Sequence, residues 1–158
     1  MNIPQYEIAA MTDAHARMIS RWKYDGEYSF YDHSEANIDE YMDGTHYACT
    51  KDGELIGYFC FGGEAQVPTV EENAYGEGFL DVGLGLRPDL CGQRLGHAFV
   101  SFGLEYARGR FDTKRFRLSV AAFNERAIRV YQRAGFVVAR EVTNSYFMNQ
   151  FLIMTCTR

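Results

Sequence analysis

Residues 80–96 constrain the fold of this chain more than any other stretch. Leu80-Asp81-Val82-Gly83-Leu84-Gly85-Leu86 alternates without a break, with Leu80, Val82, Leu84 and Leu86 on one face and Asp81, Gly83 and Gly85 on the other, the period of a strand. Arg87-Pro88-Asp89 cannot extend it as an inner strand, because proline has no N–H to give a ladder. From Gly92 to Gly96 a turn opens a segment in which Leu95, Phe99, Phe102 and Tyr106 recur at helical spacing. A strand therefore runs through a glycine turn into a helix. The first N–H groups of that helix have no partner within it, and they suit an anion, a pyrophosphate above all.

A second stretch sharpens the reading. Asn124-Glu125-Arg126-Ala127-Ile128-Arg129-Val130-Tyr131-Gln132-Arg133-Ala134-Gly135-Phe136 reads as a short helix, capped by Asn124 and stopped by Gly135. Taken together, Leu84-x-Leu86-x-Pro88-x-x-Cys91-Gly92-x-Arg94-x-Gly96 and Asn124-x-x-Ala127-x-x-x-Tyr131-x-x-x-Gly135-Phe136 resemble the GNAT superfamily of acetyl-CoA-dependent N-acetyltransferases. The family writes its phosphate loop Q/R-x-x-G-x-G/A. Here Cys91 stands in place of the polar first residue and Arg94 in place of a glycine.

The resemblance implies one N-acetyltransferase domain over residues 1–158 with an α/β (α+β) fold. Its centre would be a mixed, mostly antiparallel twisted sheet of about seven strands flanked by about four helices, in the order β-α-α-β-β-β-α-β-α-β-β. It also implies acetyl-CoA as cosubstrate, no metal, and direct attack of an amine on the thioester in a ternary complex. The other reading of the same fold is a non-catalytic protein that binds an acyl-CoA as sensor or interaction partner.

Composition narrows the partner. Residues 1–86 hold 16 acids and 4 bases, residues 87–158 hold 5 acids and 12 bases, so the stretches carry net charges of −12 and +7. That division suits a cationic amine for the first stretch and a phosphorylated cofactor for the second. The chain as a whole is acidic and has no basic helix interleaved with stacking aromatics, which argues against nucleic acid. Met1 to Ala10 lacks the marks of a signal peptide and no apolar run is long enough to span a membrane, so a cytoplasmic protein is expected. Cys49, Cys60, Cys91 and Cys156 have no CxxC spacing, and His15, His33, His46 and His97 have no metal-ligand spacing.

Read in order, Tyr6 to Met11 is a strand, and Thr12 or Asp13 caps a helix to Tyr24 with Ala14, Met18, Ile19 and Trp22 inward. Asp25 to Asp32 is acidic and aromatic; from Tyr24 to Thr50 there are seven acids and no Lys or Arg. Carboxylates among aromatic rings attract an ammonium, so Glu27, Tyr28 and Tyr31 are the candidate acceptor-binding residues. Exposed aromatics here or in the last strand offer a homodimer contact, leaving monomer or homodimer open. Ser34 to Asp43 reads as a short helix, His46 to Thr50 and Leu55 to Phe61 as a hairpin, and Gly62 to Gly78 as a long functional or mobile loop. Arg115 to Ala121, Phe136 to Val142 and Phe147 to Cys156 are the remaining strands.

Carried onto matching positions, the resemblance gives Leu84, Gly85 and Leu86 to the acetyl and pantetheine portions through their backbone. It gives Cys91, Gly92, Gln93, Arg94, Leu95 and Gly96 to the pyrophosphate, and Asn124 and Ala127 to the cofactor arm. Tyr131 would also touch the cofactor and serve as general acid beside the departing thiolate. For the base, strand parity points first to Asp81, then to Glu77, with Glu27 or water as further candidates.

Overall fold

The computed structural model describes residues 5–32, 34 and 38–157. Its described elements follow the expected order: β1 (Tyr6–Ala10), α1 (Asp13–Ser20), α2 (Ile38–Tyr41), β2 (His46–Lys51), β3 (Glu54–Phe61), β4 (Leu80–Leu86), α3 (Gly96–Phe111), β5 (Arg115–Ala121), α4 (Glu125–Arg133), β6 (Val137–Thr143) and β7 (Gln150–Thr157). The strands follow the order β1-β2-β3-β4-β5-β7-β6. β1–β2, β2–β3, β5–β7 and β6–β7 are antiparallel and β4–β5 is parallel, so the sheet is mixed and mostly antiparallel. The chain divides into two compact units, Met1–Cys60 with Leu84–Leu95 and Phe61–Gly83 with Gly96–Arg158. Each is built from two separate stretches of sequence, and the chain passes between them within β3, within β4 and at the start of α3.

In the first unit Thr12 caps α1, its Oγ1 accepting from His15 N at 3.1 Å. The helix ends at Ser20, short of the expected Tyr24, and its buried residues are Ala16, Ile19 and Ser20. Ala14 and Met18 are exposed. Trp22 is buried all the same, because beyond Ser20 it no longer follows the helical phase from which the stripe was drawn. Of the helix read over Ser34 to Asp43, the single turn Ile38–Tyr41 is present; residues 35–37, like His33, lie outside the described residues. The β2–β3 turn places Asp52 at φ 50° and Gly53 at φ 84°, the left-handed pair a two-residue hairpin needs.

Met11, Ala16, Ile19, Trp22, Tyr41, Ala48 and Leu55 form this unit's core, with Tyr24, Ile38 and Tyr58 packed against it. The C-terminal half of β4 is tied to β3 by Arg87, whose N–H donates to Ile56 O at 2.7 Å. The Arg87 guanidinium reaches Leu55 O at 2.8 Å and Glu54 at 2.9 Å. Gly85 lies under the Tyr58 ring: a Cβ there would sit 2.7 Å from Cζ and 2.8 Å from Oη. Trp22, Tyr41 and His46 hem that ring in. Gly85→Ala is therefore expected to cost about 1–3 kcal/mol by overpacking, read from urea unfolding. Unchanged stability would mean that the Tyr58 ring swings aside freely.

In the second unit β5 is central. It pairs with β4 at Leu80↔Phe116 and Asp81↔Arg117 and with β7 along its whole length. α3 buries Phe99, Val100, Gly103, Leu104 and Ala107, so Phe99 lies on the expected stripe whereas Phe102 and Tyr106 are half-buried at its margin. Residues 62–78 are anchored at several points. Val70 N donates to Thr143 O, the Glu71 carboxylate accepts from Thr143 N, and Ser145 N donates to Pro68 O. Tyr75 OH meets Ser119 Oγ and accepts from Val67 N.

Candidate active site

The phosphate-loop candidates begin in the first unit. Leu86 O, at the end of β4, accepts from the Tyr24 hydroxyl at 2.9 Å. Burial, helped by negative charge at Cys91, Tyr41 and Asp32, holds the Tyr24 phenol protonated well above its ordinary range. Cys91 turns inward, its Sγ 3.7 Å from Leu86 O and from Arg87 O, so its thiol braces the strand end. Gln93 Nε2 donates to Asp89 O across the same turn. Gly92 sits at φ 76° and Arg94 at φ 62°. The position where the family pattern has glycine thus adopts the left-handed backbone that glycine enters freely and that costs another residue about 1–2 kcal/mol. Glycine gives back part of this through its looser unfolded chain, so Arg94→Gly is expected to raise stability by about 0.5–1 kcal/mol. Loss of stability on thermal unfolding would contradict this.

The acceptor candidates also belong to the first unit. Glu27, Tyr28 and Tyr31 lie in a short 3-10 helix, Gly26–Tyr31, with Glu27 exposed and both tyrosines half-buried. Asp32 Oδ1 accepts from Tyr24 N at 2.7 Å and pins the end of that segment.

In the second unit Gly96 opens α3, a helix of 16 residues. A Cβ at Gly96 would come 3.1 Å from Val130 Cγ2, so the start of α3 packs closely on α4. Asn124 caps α4, its Oδ1 accepting from Ala127 N at 3.2 Å. Tyr131 is buried one helical face along, its ring edge toward Phe136 at 6.1 Å. Gly135, at φ 105°, ends the helix as expected.

Asp81 is placed differently from what strand parity suggests. It is 5% exposed and receives Arg117 Nε at 2.6 Å, Arg117 Nη2 at 2.8 Å and Gln66 Nε2 at 2.9 Å. A carboxylate held by a bidentate guanidinium and an amide serves as a buried structural anion, which weighs against its taking a proton from substrate. Arg117 also donates to Gly76 O at 2.8 Å and lies over the Tyr75 and Phe79 rings. Glu77 is exposed and precedes β4, so the strand parity that nominated it does not extend to it. Arg117 was not among the site candidates read from the sequence. Its signal was the facing pair of opposite charges, Asp81 and Arg117, on two neighbouring apolar strands. A second pair, His46 with Asp43, escaped notice because it was tested for metal spacing alone. Among the described residues no group of His, Cys, Asp and Glu is arranged to hold a metal ion.

Residues 10–136 match the model of the Acetyltransferase (GNAT) family. The chain belongs to the GNAT acetyltransferase family. Within it, this GNAT chain is 38% identical over 87 residues to the mycothiol acetyltransferase of Streptomyces coelicolor, covering 55% of this chain and 25% of that protein. It thus spans about a quarter of the length of the curated relatives it matches. Among solved structures it resembles an aminoglycoside acetyltransferase in complex with coenzyme A, with a TM-score of 0.74, 20% identity and coverage of 98% and 95% of the two chains. It also resembles a variant of the Vibrio cholerae spermidine N-acetyltransferase, with a TM-score of 0.68, 16% identity and coverage of 97% and 94%.

The parallel ladder with β5 covers Leu80 and Asp81, while β4 continues to Leu86. The two left-handed residues, Gly92 and Arg94, precede the start of α3 at Gly96.

Proposed function

We propose that this chain transfers the acetyl group of acetyl-CoA to the nitrogen of a primary amine, by direct attack in a ternary complex. The observation that carries the reading is the left-handed backbone of Gly92 and Arg94 at the position of the family's phosphate loop. When bound, acetyl-CoA supplies an acetyl thioester. On this reading Leu84 and Leu86 contribute backbone groups to the acetyl and pantetheine portions. The loop 91–96 seats the pyrophosphate through its N–H groups, with Ala127 and Asn124 on the cofactor arm. The phenol of Tyr131, a group that keeps its proton at neutral pH, returns a proton to the departing sulfur.

The amine is proposed to be cationic. The excess of acids in residues 1–86 supports this, and so do the structural neighbours, whose names give spermidine and aminoglycosides as acceptors. Glu27, Tyr28 and Tyr31 are proposed to line its path. A cytoplasmic setting belongs to the same reading, with all four cysteines present as free thiols. No helix among the described residues is long and apolar enough to cross a membrane.

The test is release of free thiol from acetyl-CoA with spermidine, kanamycin and short peptides offered separately. Release that depends on the amine is expected. Binding of acetyl-CoA without release from any amine would contradict the catalytic reading and favour an acyl-CoA sensor.

A further inference from the structure

His46 begins β2, beside the turn that ends in Thr45. Its Nδ1 lies 2.9 Å from Asp43 Oδ1, and Asp43 is itself fixed by Thr45, whose backbone N and hydroxyl each donate to Oδ1 at 2.8 Å. An ionised carboxylate only accepts, so the His46 proton belongs on Nδ1 and the lone pair of the neutral ring on Nε2. Among the described residues, Nε2 has no hydrogen-bond partner. The His46 side chain is 13% exposed, enclosed yet open to solvent. Burial opposes ionisation of Asp43, but the hydrogen bonds from His46 and Thr45 outweigh it and hold the carboxyl below its ordinary value.

The ring is framed by aromatics. Tyr41 meets it edge-on at 5.7 Å and Tyr58 lies at 6.1 Å. Tyr58 is the residue whose phenol covers Gly85 on β4. His46 is therefore one aromatic ring away from the β4 segment that the proposed function assigns to the acetyl group. Its neighbours with protons to exchange are Asp43 in its own turn, Tyr41 from α2, and Tyr58 and Cys60 from β3. Burial pushes the Tyr41 phenol up to about 12. Asp43 is the one carboxylate in the set. Asp81, engaged by Arg117, leaves the role of base open, whereas this imidazole presents a nitrogen prepared to accept a proton.

We propose that His46, oriented by Asp43, is the base that deprotonates the acceptor ammonium. The step moves one proton. An N–H bond of R–NH3+ breaks, an Nε2–H bond forms, the positive charge passes to the imidazolium, and water later takes the proton away. The inference rests on the acetyltransferase reading above and adds to it the identity of the base.

Two measurements test it. Long-range 15N–1H correlation spectra of the wild type should find His46 as the Nδ1–H tautomer at neutral pH, and Asp43→Ala should abolish that preference. In parallel, His46→Gln should bind acetyl-CoA as the wild type does. Its kcat/KM with spermidine or kanamycin should fall by about 10²-fold or more, and the acid limb of the pH profile should disappear. An Nε2–H tautomer in the wild type, or unchanged turnover and pH profile in His46→Gln, overturns the assignment. Failure of the acetyltransferase reading shows separately: the wild type itself would then release no thiol, while the tautomer would still uphold or overturn the dyad.

Discussion

Arg117→Met is expected to lower the unfolding free energy by about 3–5 kcal/mol, the largest stability effect of any single substitution considered. Asp81 and Arg117 each have side chains 6% exposed, so removing the guanidinium leaves a carboxylate that water cannot readily reach. The substitution also strips the donor from Gly76 O and the cation from the faces of Tyr75 and Phe79, loosening residues 75–79 ahead of β4. Asp81→Asn removes the charge and keeps the shape. With Arg117 then left unpaired, a smaller but still large loss is expected. The double variant Asp81→Leu with Arg117→Met should be less damaging than the sum of its parts, because no buried charge remains. Urea unfolding of the three variants measures this. A loss below about 1 kcal/mol for Arg117→Met would mean that the pair behaves as a solvated one.

Tyr131→Phe is expected to reduce turnover by about 10²-fold or more while acetyl-CoA affinity stays near that of the wild type. The ring itself, buried beside Phe136, is kept by phenylalanine, so α4 and its Asn124 cap should stand. Only the hydroxyl goes. A phenol acting as general acid is needed in the transition state and contributes little to binding, so the loss belongs in kcat and not in the dissociation constant. Steady-state rates with spermidine or kanamycin, set beside a binding titration, separate the two. Equal kcat for variant and wild type would remove Tyr131 from the chemistry. A fall in affinity with unchanged kcat would recast it as a cofactor contact.

Much of the architecture was legible because local signals agreed with one another. Arg115 to Ala121 alternates, stops at Ala121 and is β5 to the residue. Asn124 and Gly135 mark the two ends of α4, where the cap and the left-handed stop are both present. The hairpin at Asp52-Gly53 follows from two residues that tolerate positive φ. Where the reading of α1 slipped, the reason is local too. Its extent was judged from apolar residues through Trp22, but the chain leaves the helix at Ser20 and buries Trp22 from outside it.

The polar interior was less legible. Parity along a strand says which face a residue shares and says nothing of what lies opposite, so Asp81 looked available although Arg117 meets it from the next strand. Glycine at 85 looked like an accommodation for ligand backbone, whereas in the structure the space a side chain would take is filled by the Tyr58 ring from β3. Arg94 looked like a departure from the family pattern that leaves the loop altered. Its positive φ indicates that the loop keeps the backbone path a glycine would take, at a cost in strain. The Asp43–His46 pair depended on a turn whose hydrogen bonds could not be inferred from spacing.

The most direct test of the central claim is calorimetric titration of acetyl-CoA into the wild-type protein, with thiol release measured in the same samples after spermidine or kanamycin is added. Saturable micromolar binding followed by amine-dependent release is the result expected of an acetyltransferase with this loop and strand. Absence of any binding heat and of any release would contradict it, and would mean that Cys91 and Arg94 have closed the loop to phosphate.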